Sequence, residues 1–164
     1  MKIILLSDSH GYLDNAILNH VSQSDEVWHA GDFGSIDVCN KLSSLKPLKG
    51  VYGNIDGQDI RKVYPLNNRF VCEGFDILIT HIGGYPGKYD LKVREIIQAN
   101  PPDILICGHS HILKIMKDAT NKNLLFINPG AAGKEGFHKV RTLVKFTLKQ
   151  KTISDLQVVE LGRR

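Results

Sequence analysis

Short apolar runs along the chain alternate with segments whose apolar residues recur three or four positions apart. Lys2–Leu6 is apolar after its lysine, which predicts a strand buried on both faces. Asp14–Ser22 predicts a helix, with Asp14 as N-cap and Ile17 and Val21 on one side. Glu26–Ala30 predicts a second strand, broken by Gly31. Ser35 is placed to cap a helix reaching about Ser44, with Val38, Leu42 and Leu45 along one face. Gly50–Gly53 reads as a third, short strand entering a glycine turn. The order strand, helix, strand, helix, strand implies parallel pairing and an α/β layer.

After residue 65 the pattern changes. Arg69–Glu73 and Asp76–Thr80 flank Gly74-Phe75 and read as a hairpin with a two-residue turn. Asp90–Ala99 is helical, with Val93, Ile96 and Ile97 inward and Pro101-Pro102 closing it. Asp103–Cys107 is another apolar strand ending in glycine. A meander comes next: Leu113–Lys117, Leu124–Ile127, Thr142–Leu148 and Thr152–Val159, with turns at Asn121-Lys122-Asn123 and Lys149-Gln150-Lys151. The expected fold class is therefore α/β with mixed sheets, parallel first and antiparallel later. Two packed sheets with helices outside, a four-layer αββα sandwich, hold this many strands in one domain over residues 1–164.

Composition narrows the function classes rather than the fold. At 164 residues, 42% hydrophobic and 23% charged, the chain supports a core without disulfide staples. Cys39, Cys72 and Cys107 have no metal-like spacing and read as buried thiols of a reducing compartment. The net charge of +4 is scattered, with basic clusters only at Lys145 to Lys151 and Arg163-Arg164, which weighs against a nucleic-acid partner. No segment reaches the roughly 20 apolar residues that span a bilayer. The start, MKIILLSDSH, turns polar by Ser7 and lacks a small-residue cleavage site. A cytoplasmic protein with no membrane partner is the expectation.

The residues just past each strand carry the chemistry. Asp8-Ser9-His10 comes after the first, Gly31-Asp32 after the second and Gly53-Asn54 after the third. The hairpin ends at Thr80-His81, and the strand over 103–107 runs into Gly108-His109-Ser110-His111. In open α/β sheets the ligand crevice lies outside the carboxyl ends of the strands, so these donors face one rim. A lone Asp after a strand is ordinarily a turn former and a lone His a hydrogen-bonded structural residue. The set resists that explanation. His-x-His and Asp-x-His aim both side chains one way if the segment is extended. Imidazole and carboxylate donors without thiolate suit Mn, Fe, Zn or Ni. Seven such donors exceed one ion's needs, whereas two ions sharing a carboxylate would use them all.

Asp8-x-His10, Gly31-Asp32, Gly53-Asn54-x-Asp56, His81 and Gly108-His109-x-His111, in that order, resemble the calcineurin-like metallophosphoesterase superfamily. The small size, the Ser7-Asp8-Ser9-His10-Gly11 start and Asn128-Pro129-Gly130 make the chain most similar to its compact YfcE-type phosphodiesterases. The resemblance implies a binuclear centre in which Asp8, His10, Asp32 and His111 bind one divalent ion. Asp32, Asn54, His81 and His109 would bind the other, with Asp32 bridging. It implies Mn as the foremost activator, with Ni, Zn, Fe and Mg as alternatives, and hydrolysis of a small phosphodiester through in-line attack by a metal-bridging hydroxide. Asp32, Asn54 and His10 would then be the residues nearest the chemistry, and a homodimer would suit the family.

Ile55 stands where many superfamily members carry a histidine able to protonate the leaving alkoxide. Such acid catalysis contributes about 10²–10⁴-fold, so its absence favours substrates with good leaving groups, such as aryl phosphodiesters. The alternative is a protein-interaction module, because the retromer subunit of this fold has an impaired site and shares the Asn-Pro-Gly-Ala segment. The complete set of donors favours an enzyme. His29 reads as a packed core histidine and His20 as solvent-facing, while His138 has no assigned role. Asp56 reads as a cap or as support for Asn54. The loops over 83–90 and 130–138 read as shaping the mouth of the site, with Tyr85, Lys88, Tyr89 and Lys134 as substrate contacts.

Overall fold

A computed structural model describes all of residues 1–164. In chain order the elements are β1 (Lys2–Leu6), α1 (Asn15–Ser22), β2 (Glu26–His29), α2 (Ile36–Leu45), β3 (Leu48–Gly50) and α3 (Gln58–Arg61). The hairpin β4 (Asn67–Cys72) and β5 (Phe75–Thr80) is next, then the short β6 (Gly84–Tyr85) and β7 (Lys88–Tyr89) and the helix α4 (Leu91–Ala99). The chain ends with β8 (Ile104–Ile106), β9 (Lys114–Asp118), β10 (Leu124–Asn128), β11 (Val140–Lys149) and β12 (Thr152–Arg163).

Two five-stranded sheets form, ordered β12-β11-β1-β2-β3 and β4-β5-β8-β10-β9. In the first, β1, β2 and β3 run parallel while β11 and β12 join antiparallel. In the second, β5, β8 and β10 run parallel and β4 and β9 flank them antiparallel. Each sheet is mixed, rather than one half of the chain being parallel and the other antiparallel.

Period-two alternation in the buried strands builds the layers. Ile3 and Leu5 face Ile77, Ile79, Ile104 and Ile106 in a core between the sheets that also buries Trp28 completely. Ile4 and Leu6 point the other way, onto Ile17 and Val21 of α1 and Val38 and Leu42 of α2. On the outer face of the second sheet, Leu78 and Leu105 meet Val93 and Ile97 of α4. The result is the expected αββα sandwich. The three cysteines are free and buried, and no helix is long and apolar enough to cross a membrane.

Several boundaries move. The third strand is Leu48–Gly50, and residues 51–53 carry the chain out of the sheet. The hairpin turn is Glu73-Gly74, not Gly74-Phe75, because Cys72 pairs with Phe75 and both turn residues have positive φ (50° and 85°). That is the backbone a two-residue hairpin turn of matching twist demands.

Arg141, 3% exposed, locks the final strands onto α1. Its Nη2 donates to Asp14 Oδ2 at 2.7 Å and to the Leu161 carbonyl at 2.9 Å. Partial burial pushes the Asp14 carboxyl up, but the Ile17 N–H and Arg141 outweigh it and hold its pKa below the ordinary value. Arg141→Ala should therefore lower stability by about 1.5–3 kcal/mol, the range for hydrogen bonds to charged groups, read from the urea midpoint at pH 7. A depressed folded pKa gives stability that is present above the unfolded value of about 3.9 and lost as pH falls through the folded one. The variant should accordingly lose part of the parent's acid dependence below about pH 4; an unchanged profile would remove Arg141 from this role.

Candidate metal centre

The parallel strands β1, β2 and β3 of one sheet and β5 and β8 of the other end on the same rim. Backbone hydrogen bonds knit the segments beyond them: Asp8 N–H to Gly31 O at 3.0 Å, His10 N–H to Asp32 O at 3.1 Å, and Gly108 N–H to His81 O at 3.0 Å. Asp56 completes the frame. Its carboxylate accepts from the N–H groups of Phe33 (3.2 Å), Gly34 (2.8 Å) and Gly53 (2.8 Å), tying the Asp32 loop to the Asn54 loop. Arg61 clasps the Asn54 loop from outside, donating to the carbonyls of Asp56, Gly53 and Asn54. Gly53 is required where it stands, since a Cβ there would collide with the Asp32 carboxylate.

On this frame the seven donors converge into two clusters. Asp8, His10 and His111 form one and Asp32, His81 and His109 the other, with the donor atoms of each within 4.8 Å of one another. Asn54 joins the second through Oδ1, 3.0 Å from His81 Nε2. Asp32 Oδ2 lies between the clusters, 3.2 Å from His81 Nε2 and 3.8 Å from His10 Nε2. The other oxygen, Oδ1, is held by the Ile55 N–H at 3.0 Å. Burial pushes the Asp32 carboxyl up, but hydrogen bonding and charge from His81 outweigh it and leave the pKa below the ordinary value.

The backbone at these donors corrects one geometric expectation. His109 and His111 are not alternate residues of an extended segment; their φ values are 65° and 57°, and the two rings enter different clusters. Asp8, His10 and Asp32 are likewise left-handed, at φ 53°, 47° and 55°. Such conformations cost about 1–3 kcal/mol each in non-glycine residues and persist where function holds them.

Two features suit cations. Asp8 Oδ1 is buried, has no hydrogen-bond partner and lies 3.2 Å from His111 Nε2. His81 Nδ1 lies 2.8 Å from the Ala30 carbonyl, which can only accept, so the ring donates from Nδ1. A neutral His81 then turns its Nε2 lone pair toward Asp32 Oδ2 and Asn54 Oδ1. Three acceptors meeting at one point need a positive charge between them, supplied by a metal ion or, without one, by a proton on Nε2. Burial pulls the His81 pKa down, but Asp32 and Asp8 outweigh it and raise the value overall. The donor set of imidazole, carboxylate and amide oxygen fits a divalent ion of the Mn, Fe, Zn or Ni type.

His29 is the core histidine its strand position predicts. It stacks on Phe33 with ring centroids 3.8 Å apart, accepts from the Gly31 N–H and contacts Ser9 Oγ at 2.9 Å. Burial pulls its pKa to about 3, so it stays neutral. Two residues contribute more than the sequence suggested. Asp56 does not cap the next helix; it supports the Asn54 loop, the second of its two sequence readings, and also ties that loop to the Asp32 loop. His138 packs its ring against His111, and nothing in the sequence signals that contact.

A four-layer αββα sandwich with carboxylate–imidazole clusters on this rim is the architecture of the metal-dependent phosphoesterases. The model of the calcineurin-like phosphoesterase superfamily domain matches residues 1–151, and the chain belongs to that superfamily. It is 30% identical to a probable metallophosphoesterase of Mycoplasma pneumoniae, over 94% of each chain. A probable metallophosphoesterase of Methanocaldococcus jannaschii is also 30% identical, over 80% of this chain and 68% of the relative. Among solved structures, an archaeal phosphodiesterase superposes with a TM-score of 0.75 at 23% identity, over 98% of this chain and 100% of that one. Zinc-complexed Vps29 from Entamoeba histolytica gives 0.75 at 17% identity, over 98% of both chains. These two likenesses confirm the fold.

Proposed function

We propose that this protein is a binuclear metal-dependent phosphodiesterase acting on small phosphodiesters. The observation that carries the reading is the position of Asp32 Oδ2 between two clusters of donors. One carboxylate so placed would be shared by two ions, one in each cluster. Asp8, His10 and His111 complete one site and Asn54, His81 and His109 the other, with Mn the foremost candidate ion. Bound there, divalent ions supply Lewis acidity toward a phosphoryl oxygen and lower the pKa of an attacking water.

The chain's own side chains set the rest. Asn54 is exposed at the mouth, and with Oδ1 turned to His81 its amide N–H groups remain donors for a phosphoryl oxygen. Grooves of about 580 and about 560 Å³ flank the centre, one reaching Asn54 and His81 and the other His109. Two grooves suit a phosphorus carrying two ester groups. Tyr85, Lys88 and Tyr89 line the second groove, in keeping with substrate contact. Lys134 instead lies 4.5 Å from the Tyr12 ring. Ile55 is 49% exposed at the rim and has no proton to give, so this position supplies no acid to the leaving group.

Bis(p-nitrophenyl) phosphate should therefore be hydrolysed at least about 10²-fold faster than an alkyl monoester with Mn²⁺, Ni²⁺ or Zn²⁺, and chelation should abolish turnover. Faster alkyl monoester hydrolysis would overturn the reading of Ile55. No turnover with any ion, Mg²⁺ included, would instead favour an interaction module built on the same fold.

A further inference from the structure

The loop from Gly133 to His138 closes over one of the two clusters, and its contacts have a direction. His138 Nε2 lies 3.0 Å from the Gly133 carbonyl, and His138 Nδ1 lies 3.3 Å from His111 Nδ1. A carbonyl only accepts, so the proton on a neutral His138 sits on Nε2. Its Nδ1 is then an acceptor, and the only hydrogen that can fill that contact is one on His111 Nδ1. A neutral His111 carrying its proton there has a bare Nε2. That nitrogen faces the cluster, 3.3 Å from His10 Nε2 and 3.2 Å from Asp8 Oδ1.

The close approach is built in. Gly136 has φ +114°, and a Cβ there would run into His111 Nδ1 and Cε1. The loop reaches the ring because that residue has no side chain. The His111 and His138 rings meet edge to face, 5.2 Å apart at 70°, which aims one ring's nitrogen at the other.

Resting on the two-ion reading, we infer that His138 is a positioning residue: its Nδ1 accepts a hydrogen bond from the His111 Nδ1–H, passes orientation on from the Gly133 carbonyl, and so commits His111 Nε2 to ligating the ion it shares with Asp8 and His10. Outer partners that fix a ligand histidine's tautomer typically change metal affinity by about 10–100-fold when removed. The second cluster has a different outer partner, the Ala30 carbonyl at His81 Nδ1. The two ions should therefore respond differently to loss of His138.

The test is Zn²⁺ binding to the full chain by chelator competition, for the parent, His138→Phe and His138→Asn. The parent should take up two ions; failure to do so would refute the two-ion reading itself, separately from this inference. His138→Phe should weaken one ion by about 10–100-fold and leave the other within about twofold. His138→Asn, whose amide oxygen can still accept, should recover most of that loss. Equal affinity in all three proteins, or equal weakening of both ions, would overturn the inference. If His138→Phe fails to fold, nitrogen-15 NMR of the zinc-loaded parent decides. A proton on His111 Nδ1, with a hydrogen-bond coupling to His138 Nδ1, supports the relay, and a proton on His138 Nδ1 defeats it.

Discussion

Asp32→Ala should reduce phosphodiester hydrolysis by at least about 10³-fold, because metal-borne charge stabilisation is worth several kcal/mol and each 1.36 kcal/mol is tenfold. The effect is large because one side chain serves both clusters. Its Oδ2 lies 3.2 Å from His81 Nε2 and 3.8 Å from His10 Nε2, so truncation takes a ligand from each ion. The variant should bind fewer than two ions at concentrations that saturate the parent, whereas a variant of one terminal ligand, such as His109→Ala, should mainly weaken one. Oδ1 is oriented by the Ile55 N–H alone among the backbone groups, so the substitution removes little of the fold's own framework. Activity near the parent's, with both ions retained, would eliminate Asp32 as the bridge.

The second large effect is on stability. Without cations the rim holds the unpartnered Asp8 Oδ1 and the converging acceptors of His81, Asp32 and Asn54. An ion present at a hundred times its dissociation constant stabilises the folded state by about 2.7 kcal/mol. Two such ions, at about 2–4 °C per kcal/mol for a chain of this size, should raise Tm by at least about 10 °C. Calorimetry with and without chelator measures this directly. The increment should rise with ion concentration, and an increment of zero would mean that the clusters do not bind ions appreciably.

Much of the fold was legible because the buried strands carry apolar residues on both faces and the helices carry one apolar stripe each. The sheet order was less so. Whether β11 joins β1 or β10 depends on long-range packing, which no local pattern records. The short β6–β7 hairpin and the four-residue α3 were missed, since elements of that length hold too few apolar positions to show a period. In the centre, that these seven side chains meet at one rim could be read from their places after strands, but their directions could not. Treating His109-Ser110-His111 as extended put both rings on one side, whereas left-handed backbone at each histidine sends them to different clusters. The part of His138 is hidden for a related reason. It lies 27 positions from His111, and the intervening Gly136 gives no sign that it is spaced to admit that ring.

Left-handed backbone at Asp8, His10, Asp32, His109 and His111 also bears on how such a site can be lost. Each of these positions would be more comfortable as glycine, which adopts positive φ without steric penalty. A lineage released from selection for hydrolysis would thus find replacements here that harm the chemistry yet ease backbone strain. Relief of that strain would offset part of the stability lost with the ions while the sandwich beneath stayed intact, leaving a scaffold free to take up other work.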